Sequence, residues 1–352
     1  MAQTINSYKK ITSSIKTHDD GYKYIFTEMP YIRSDNKEDH ETIISNYIHD
    51  GDTINVLSNR TFGIRFLGVD TAEVSIDYPS VIKPTNLPDW YEWPDVSSFK
   101  EYLTDPFQYA GSESFEKSLG PRLLEYLKDK LNPETAQNHQ IYGDIALKKL
   151  QNIVKEDISK YYSNNPKYDF SFFMVFAFEV MDRYGRFLCF VDRTKTTEER
   201  QIDKLTYNEK LLKEGFSIPY FIWPNINPFR EDAVQINTLR DAIYPADEFY
   251  DKINADERLS EVRNSVRNAQ LSHTGIFAKD NPLLIQPFEL RYLFRRQAPD
   301  RYVLDMSSKE HPVLLKPTEY FTVAYEDRLF VDEIYLHLFK QKGYLVQGEN
   351  DQ

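Results

Sequence analysis

The chain has 352 residues and a formal net charge of −12 at neutral pH, which argues against a protein that coats nucleic acid through one broad basic surface. Hydrophobic residues make up 41% and aromatic residues 14% of the sequence. That is ample for a packed core and excludes an intrinsically disordered chain. Cys189 is the single cysteine, so no internal disulfide can form, as is typical of a reducing compartment.

The sequence carries no pattern of a secreted or membrane protein. Its first residues include lysines but no apolar region of the kind found in a secretion signal. The most apolar stretch, at 170–181, contains Glu179 and is too short to span a bilayer. We therefore expect a cytoplasmic protein with no membrane partner.

The first half of the chain predicts strands and then helices. Residues 1–38 are polar and predict an N-terminal extension. Three short runs rich in β-branched residues follow between 41 and 69, separated by turn residues, and predict an antiparallel meander. The stretch from 75 to about 95 is rich in proline and aromatic residues and predicts an ordered irregular loop. Residues 114–131 then predict a helix that is broken at Gly120.

The middle of the chain predicts a helix followed by a second β unit. Apolar residues recur at helical spacing over 141–162, which predicts a helix that covers a sheet. Two strands should then flank the turn at 182–185, where Gly185 supplies a positive φ. Helices are predicted over 206–215 and 255–270. The sequence thus has five predicted strands, three before the helix over 141–162 and two after it. This arrangement predicts a closed barrel of the OB type, and the predicted fold class is α+β.

The remaining residues, 279–352, predict a smaller C-terminal unit of the α+β or mostly-β class. Strands are predicted over 283–294, 301–306 and 320–331, and a short helix over 332–343. The expected organisation is an extension (1–38), a larger domain (39–278) that contains an insertion (75–140), and a C-terminal accessory domain (279–352).

Two acidic clusters lie at the ends of the predicted meander. The first is DGDT at 50–53 and the second is DTAE at 70–73. Asp52, Asp70 and Glu73 should end on neighbouring strands, where their oxygens could hold one metal ion. Oxygen ligands without histidine or cysteine suit Ca²⁺, and they suit Mg²⁺ or Mn²⁺ less well.

Arg65 lies five residues before Asp70, and on a flat strand the two side chains would point to opposite faces. They reach one site if the strand bends, for which Gly68 is the candidate position. A guanidinium, a divalent cation and a free carboxylate are what phosphodiester hydrolysis requires. The positive groups neutralise charge at phosphorus, and the carboxylate activates water. Arg186, after the 182–185 turn, could bind the phosphate as well.

Each motif taken alone has a simpler interpretation. DGDT and DRYG are ordinary hairpin turns, and Arg65 could be a surface strand residue. The aromatic residues around Tyr220 are typical of a core. The metal and phosphate interpretation depends on these motifs occurring together in this order.

In combination, the motifs resemble the staphylococcal nuclease (thermonuclease) family. They are DGDT (50–53), RFLGVDTAE (65–73), a helix, DRYGR (182–186) and NEKLLKEGF (208–216). The resemblance covers about 40–74 and 141–278. It implies a five-stranded OB-type barrel with packed helices that cleaves DNA or RNA with Ca²⁺ and leaves 3′-phosphate ends.

The resemblance also implies a role for each site residue. Glu73 would be the general base that activates water, while Arg65 and Arg186 would stabilise the transition state. The other implied roles are metal ligation by Asp52, Asp70, Glu73 and the backbone carbonyl of Thr71, phosphate contact by Arg183 and Tyr184, and base stacking by Tyr220 and Trp223.

The sequence departs from the family pattern in two further respects. Ala72 stands where the family has proline, which loosens the segment that holds Glu73. The insertion 75–140 directly follows that segment, and we expect it to act as a lid that narrows access to the site.

The alternative function is a non-catalytic module on the same barrel that binds nucleic acid or recruits a partner. All six central positions are present, which favours the enzyme. The C-terminal unit could contact a protein partner. Its segment 290–296, LRYLFRR, could bind phosphate or could be a charged strand edge.

Overall fold

The computed structural model describes residues 16–17, 23–28, 48–58, 60–76, 78–79, 81–82, 96–164, 170–182, 185–226 and 238–348. Within these ranges it contains β-sheets with helices packed on them, so the predicted α+β class is confirmed. The strands are β1 (Lys16–Thr17), β2 (Lys23–Glu28), β3 (Ile48–Asp50), β4 (Thr53–Ser58), β5 (Arg60–Phe66), β6 (Gly68–Asp70), β7 (Ser171–Met181), β8 (Phe187–Arg193), β9 (Ile218–Ile222), β10 (Arg301–Asp305), β11 (Val313–Leu314), β12 (Arg328–Asp332) and β13 (Leu345–Val346). The helices are α1 (Val96–Thr104), α2 (Ser112–Lys130), α3 (Thr135–Asn164), α4 (Thr197–Ile202), α5 (Tyr207–Lys213), α6 (Phe249–Ala255), α7 (Glu257–Leu271), α8 (Pro287–Arg295) and α9 (Leu336–Gln341).

The larger sheet has its strands in the order β1-β2-β7-β8-β5-β4-β3. β7 and β8 form the predicted antiparallel pair, and the turn between them contains Gly185 with a φ of +80°. β5 lies between β4, which is antiparallel to it, and β8, which is parallel to it. β2 also contacts β4, but through one register pair, Glu28 with Leu57. One pair does not make a closed sheet, so the predicted five-stranded barrel is not confirmed.

The N-terminal extension contributes to this sheet. β2 pairs with β7 along its whole length, from Lys23 opposite Phe176 to Glu28 opposite Ser171. Residues 23–28 of the N-terminal extension therefore form a strand of this sheet. The rest of 1–38, and the predicted strand at 41–47, lie outside the described residues.

A second sheet of four strands, called the smaller sheet below, joins the predicted domain 39–278 to the C-terminal residues. Its strand order is β10-β12-β9-β6. β9 pairs with β6 on one side and, in parallel, with β12 on the other, where Leu329 lies opposite Phe221. A domain boundary at residue 278 would therefore cut through this sheet.

The segment 283–294 was predicted to be a strand and instead contains α8. Pro287 stands at the first helical position, which suits its fixed φ and missing N–H. Glu289 accepts a hydrogen bond from the backbone N–H of Gln286 at 2.8 Å, as in a capping box. A short apolar run is compatible with the two-residue period of a strand and with the 3.6-residue period of a helix, and for this reason the strand prediction was wrong. The buried residues of α8 include Leu290, Leu293 and Phe294, which follow helical spacing.

The strand predicted over 320–331 is also shorter than expected. Pro317–Thr322 and Tyr325–Asp327 form 3₁₀ turns, and the strand begins at Arg328. The strand predicted at 301–306 is present as β10, and the helix predicted at 332–343 is present as α9.

The described helices of the insertion belong to a hydrophobic core. Phe99 and Tyr102 of α1 are buried in one cluster with Leu293 and Phe294 of α8, and α2 contributes Leu123. The Tyr102 hydroxyl also donates a hydrogen bond to the Leu293 carbonyl at 2.7 Å. These helices are therefore held in a core, and the function of the insertion as a lid stays a prediction. Its residues 83–95 lie outside the described ranges.

A second core lies between the larger sheet and the helices α3, α5 and α7. It includes Leu150, Phe172, Cys189, Leu211 and Val266, all with essentially no exposed surface. Burial raises the pKa of the Cys189 thiol well above its usual value, so this cysteine is an inert core residue. Among the described residues, every helix is too short or too polar to cross a bilayer.

Candidate active site

The two acidic clusters come together where the two sheets meet. Asp52 lies in the turn between β3 and β4, and Asp70 is the last residue of β6. Both side chains are buried, with 2% and 0% of the residue surface exposed. Glu73 follows three residues after Asp70 and is partly exposed. An unpaired buried carboxylate is strongly unfavourable, so partners are expected close by.

Arg65 joins the two buried acids. Its Nη2 atom lies 3.0 Å from Oδ2 of Asp52 and 2.8 Å from Oδ1 of Asp70. The Arg65 side chain retains 18% exposure, so it is only partly buried. Burial opposes its charge, but Asp52 and Asp70 keep the pKa of Arg65 above its usual value. This arginine is therefore positively charged at the mouth of an acidic pocket.

The predicted bend at Gly68 makes this contact possible. β5 ends at Phe66 in the larger sheet, and β6 begins at Gly68 in the smaller one, where the φ of Gly68 is +76°. This φ suits a residue that lacks a Cβ. Because the chain changes sheets here, Arg65 and Asp70 reach one site although a flat strand would separate them.

Backbone contacts hold the acidic segments against one another. The Phe66 N–H donates to the Asp52 carbonyl at 3.0 Å, and the Thr71 N–H approaches Oδ2 of Asp52 at 3.5 Å. The Asp70 N–H donates to the hydroxyl of Ser217 at 3.1 Å. The site is thus built into the junction of the sheets.

Helix α3 fixes the position of Glu73. The Glu73 N–H donates to Nε2 of His139 at 2.8 Å. One turn later, a Cβ on Gly143 would stand 2.6 Å from the Glu73 carbonyl oxygen. Burial lowers the pKa of His139 to about 3, so its imidazole is neutral and its Nε2 accepts this bond. Sequence analysis missed both residues, since nothing local to α3 links it to position 73.

The same face of α3 supports the other acidic turn. Gly51 packs so closely that a Cβ there would stand 2.7 Å from the Cβ of Ala146. His139, Gly143 and Ala146 are spaced four and three residues apart, so they share one face of the helix. A single helix face therefore positions both turns that carry the acids.

Arg291 of α8 is a further arginine in the site. Its Nη2 lies 2.9 Å from each carboxylate oxygen of Asp70, and its Nη1 forms an ion pair with Glu73. The Arg291 side chain retains 21% exposure. The sequence pointed to the segment 290–296 as a possible phosphate contact, but it did not place Arg291 beside Asp70.

Burial raises the pKa of two acids, Asp70 and Asp50. It raises the pKa of Asp70 to about 6, against the lowering effect of Arg291 and Arg65. Burial, followed by the charge of Asp52, raises the pKa of Asp50 to about 8. Asp50 is therefore mainly protonated at neutral pH, and its Oδ1 accepts the Asp52 N–H at 3.0 Å.

Arg186 directly precedes β8, next to the strand that carries Arg65. Its guanidinium forms an ion pair with Asp182, with Nε 2.8 Å from Oδ2. In the parallel pairing of β5 and β8, Arg65 lies opposite Leu188, two residues after Arg186. Side chains two residues apart in a strand share a face. If the alternation of side chains in β8 continues back to Arg186, its side chain lies on the same face of the sheet as that of Arg65.

The four predicted substrate contacts fall into two groups. Arg183 and Tyr184 lie outside the described residues. Tyr220 stacks on Phe288, and its hydroxyl accepts a hydrogen bond from Arg301 at 2.9 Å. Trp223 is 3% exposed, so it has no open face for a base and packs as a core residue.

The donor atoms of the site are of the kind that Ca²⁺ binds. Asp52 and Asp70 converge on one nitrogen of Arg65, and all their donors are oxygens. Among the described residues, however, no group of three acidic, histidine or cysteine side chains is arranged to hold a metal ion. Both oxygens of Asp70 contact Arg291 instead. The site therefore supplies the oxygen atoms that a cation needs, but a cation would compete for them with both Arg65 and Arg291.

Comparison with known proteins gives one informative similarity. No family model matches the chain. The chain is similar to Endonuclease YhcR of Bacillus subtilis (strain 168), with 26% identity over 152 residues. The match spans 43% of this chain and 9% of that protein, so the chain spans under a tenth of its relative's length.

Proposed function

We propose that the chain is a nuclease that hydrolyses phosphodiester bonds of DNA or RNA. The observation that carries this proposal is that Arg65 joins the buried Asp52 and Asp70, with Glu73 in the next turn of chain. A guanidinium beside clustered carboxylates is the constellation expected for attack on a phosphodiester. The similarity to a protein named as an endonuclease points to the same class of reaction.

In the proposed reaction, the partly exposed Glu73 takes a proton from the attacking water. Arg65, which is held by two acids and is partly exposed, binds the phosphate and offsets the charge that develops in the transition state. Arg186 would turn from Asp182 to bind the same phosphate. As in the thermonuclease family that the motifs resemble, the bond between phosphorus and the 5′-oxygen would break, which leaves a 3′-phosphate end and a 5′-hydroxyl end that takes its proton from solvent.

We also propose that one Ca²⁺ ion supports the reaction, bound by Asp52, Asp70, Glu73 and the Thr71 carbonyl. A bound cation supplies positive charge that stabilises the transition state. Oxygen ligands favour Ca²⁺ over Mg²⁺ or Mn²⁺. Full activity in Mg²⁺ with Ca²⁺ chelated would contradict this part of the proposal.

The proposal is tested with purified protein and labelled single- and double-stranded DNA and RNA, in Ca²⁺, Mg²⁺ or chelator. Glu73→Gln and Arg65→Ala are each expected to lower the cleavage rate by about 10² or more. Glu116→Gln, which changes a partly exposed acid of α2 outside the site, is the matched control and should cleave normally. A wild-type protein that cleaves none of the four substrates would refute the nuclease function.

One observation favours a second candidate, a module that binds nucleic acid without cleaving it. Asp52, Asp70 and Glu73 all form ion pairs with arginines. Carboxylates held in this way could serve to position arginines for phosphate binding. Salt-sensitive binding of oligonucleotides, with no cleavage in any metal, would support this alternative.

A further inference from the structure

We propose that Arg291 is a third phosphate-binding arginine of the site and that the C-terminal residues thereby complete it. This inference rests on the proposed function, because its ligand is the substrate phosphodiester. Arg291 lies outside the segments that resemble the nuclease family, and its position beside Asp70 comes from the tertiary structure.

The first argument is position. Arg65 and Arg291 both contact the Asp70 carboxylate, at 2.8 and 2.9 Å. The positive charge of Arg291 lowers the pKa of Arg65, although the acids raise it overall. Two guanidinium groups that contact the same carboxylate are close enough for one phosphate to contact both in its place. A phosphate that reaches Arg65 therefore comes within reach of Arg291.

The second argument is exposure. A structural ion pair elsewhere in the fold, Arg263 with Asp327, has 6% and 5% of its side chains exposed. Arg291 and Arg65 keep 21% and 18%. Both arginines are thus partly exposed, whereas the Asp70 carboxylate that they contact is buried. A ligand from solution can therefore reach them.

The third argument is the rigidity of its support. The neighbours of Arg291 in α8, Leu290 and Leu293, are fully buried, and Tyr102 donates a hydrogen bond to the Leu293 carbonyl. The helix is therefore fixed in the core while the side chain of Arg291 points into the site. A planar guanidinium binds phosphate and carboxylate with the same paired geometry. If a phosphate oxygen replaces Glu73 or Asp70 as the partner of Arg291, only the side chain of Arg291 has to move, and α8 stays in place.

The test measures binding and cleavage of a short single-stranded DNA by Arg291→Met and Arg291→Lys. Methionine keeps an unbranched apolar side chain without the charge, and lysine keeps the charge without the paired N–H donors of the guanidinium. Binding is followed in chelator at several salt concentrations, and kcat and KM are measured in Ca²⁺. Arg267→Met is the matched control, because Arg267 forms its ion pair with Glu326, outside the site.

Arg291→Met is expected to weaken binding about tenfold or more. The slope of the logarithm of the binding constant against the logarithm of the salt concentration should become shallower by about 0.7, the value for one phosphate contact on a single strand. Arg291→Lys should keep the slope but lower kcat about tenfold, because a point charge does not replace the paired contact. Arg267→Met should match the wild type in all three measurements. A purely structural arginine would change thermal stability and leave the slope unchanged.

Three results would overturn the inference: an unchanged slope and affinity in Arg291→Met, a wild-type kcat in Arg291→Lys, or a higher kcat/KM in either variant. If Arg291→Met does not fold, the kcat of Arg291→Lys decides. Arg65→Met separates this inference from the proposed function. Loss of cleavage in Arg65→Met with normal cleavage in both Arg291 variants refutes the inference alone, whereas an inactive, non-binding wild type refutes the function.

Discussion

Gly143 of α3 lies directly against the backbone of Glu73. A Cβ at position 143 would stand 2.6 Å from the Glu73 carbonyl oxygen and 3.3 Å from that of Ala72. The first distance is too short for a carbon and an oxygen atom, so even one methyl group would push the segment away from the helix. The position of the proposed general base therefore depends on the absence of a side chain in another element.

Gly143→Ala should consequently lower both stability and activity. Alanine is normally the better helix residue by about 0.5–1 kcal/mol, but the collision with backbone atoms should reverse the sign. We expect a loss of about 1–3 kcal/mol in the free energy of unfolding, as for other overpacked sites. Urea denaturation and cleavage rates provide the measurements. Lys148→Ala, on the exposed side of the same helix, is the control, and an equally stable and active Gly143→Ala would contradict the prediction.

His139 should make the stability of the protein sensitive to acid. Burial lowers its pKa from the usual 6.5 to about 3, so between these values the unfolded chain binds the proton and the folded chain does not. Stability should therefore fall as the pH drops below about 6.5, by up to about 1.4 kcal/mol per pH unit. His139→Gln can accept the Glu73 N–H but does not titrate.

Urea denaturation in chelator at pH 7, 6, 5 and 4 measures this contribution. The wild type should lose stability more steeply than His139→Gln over this range. Parallel curves for the two proteins would show that His139 binds a proton equally well in the folded state.

Arg186→Ala should impair catalysis with little effect on folding. The ion pair of Arg186 with Asp182 is partly exposed, at 33% and 15%, and such pairs contribute about 0–1 kcal/mol. Loss of a group that stabilises the transition state should lower kcat by about 10². Steady-state kinetics and thermal denaturation give the two quantities. Asp182→Asn breaks the same ion pair but keeps the arginine, so it should retain far more activity, and equal losses in both variants would assign Arg186 a structural role.

Unfolding of the described core should be a single transition. β12 pairs with β9, so the C-terminal residues share a sheet with the larger domain. α8 packs against α1 and α2, so they also share a hydrophobic cluster with the insertion. Leu293→Ala should remove about 2–5 kcal/mol and shift the transition as a whole. Tryptophan fluorescence and far-UV circular dichroism should report the same midpoint in urea, whereas two separate midpoints would indicate independent domains.

Much of the fold was predictable from local pattern. The helix over 141–162 is present as the central part of α3, and the turn at Gly185 joins β7 to β8. These predictions succeeded because hydrophobic period and glycine act within a few residues of the chain. The prediction over 283–294 was wrong because Phe288 and Leu290 alternate as in a strand, while the helix signals, Pro287 and Glu289, are each weak when considered singly.

The sequence by itself determined which chemical groups this protein can offer: two acidic turns, an arginine five residues before Asp70, and the glycine at 68 where the strand bends. These are local properties, since spacing along one strand decides which side chains can meet. Only the tertiary structure decided that His139 and Gly143 hold Glu73, and that Arg291 joins Arg65 at Asp70. Such contacts join residues 66 to 221 positions apart, and packing between distant elements leaves no periodic trace in the segments that make them.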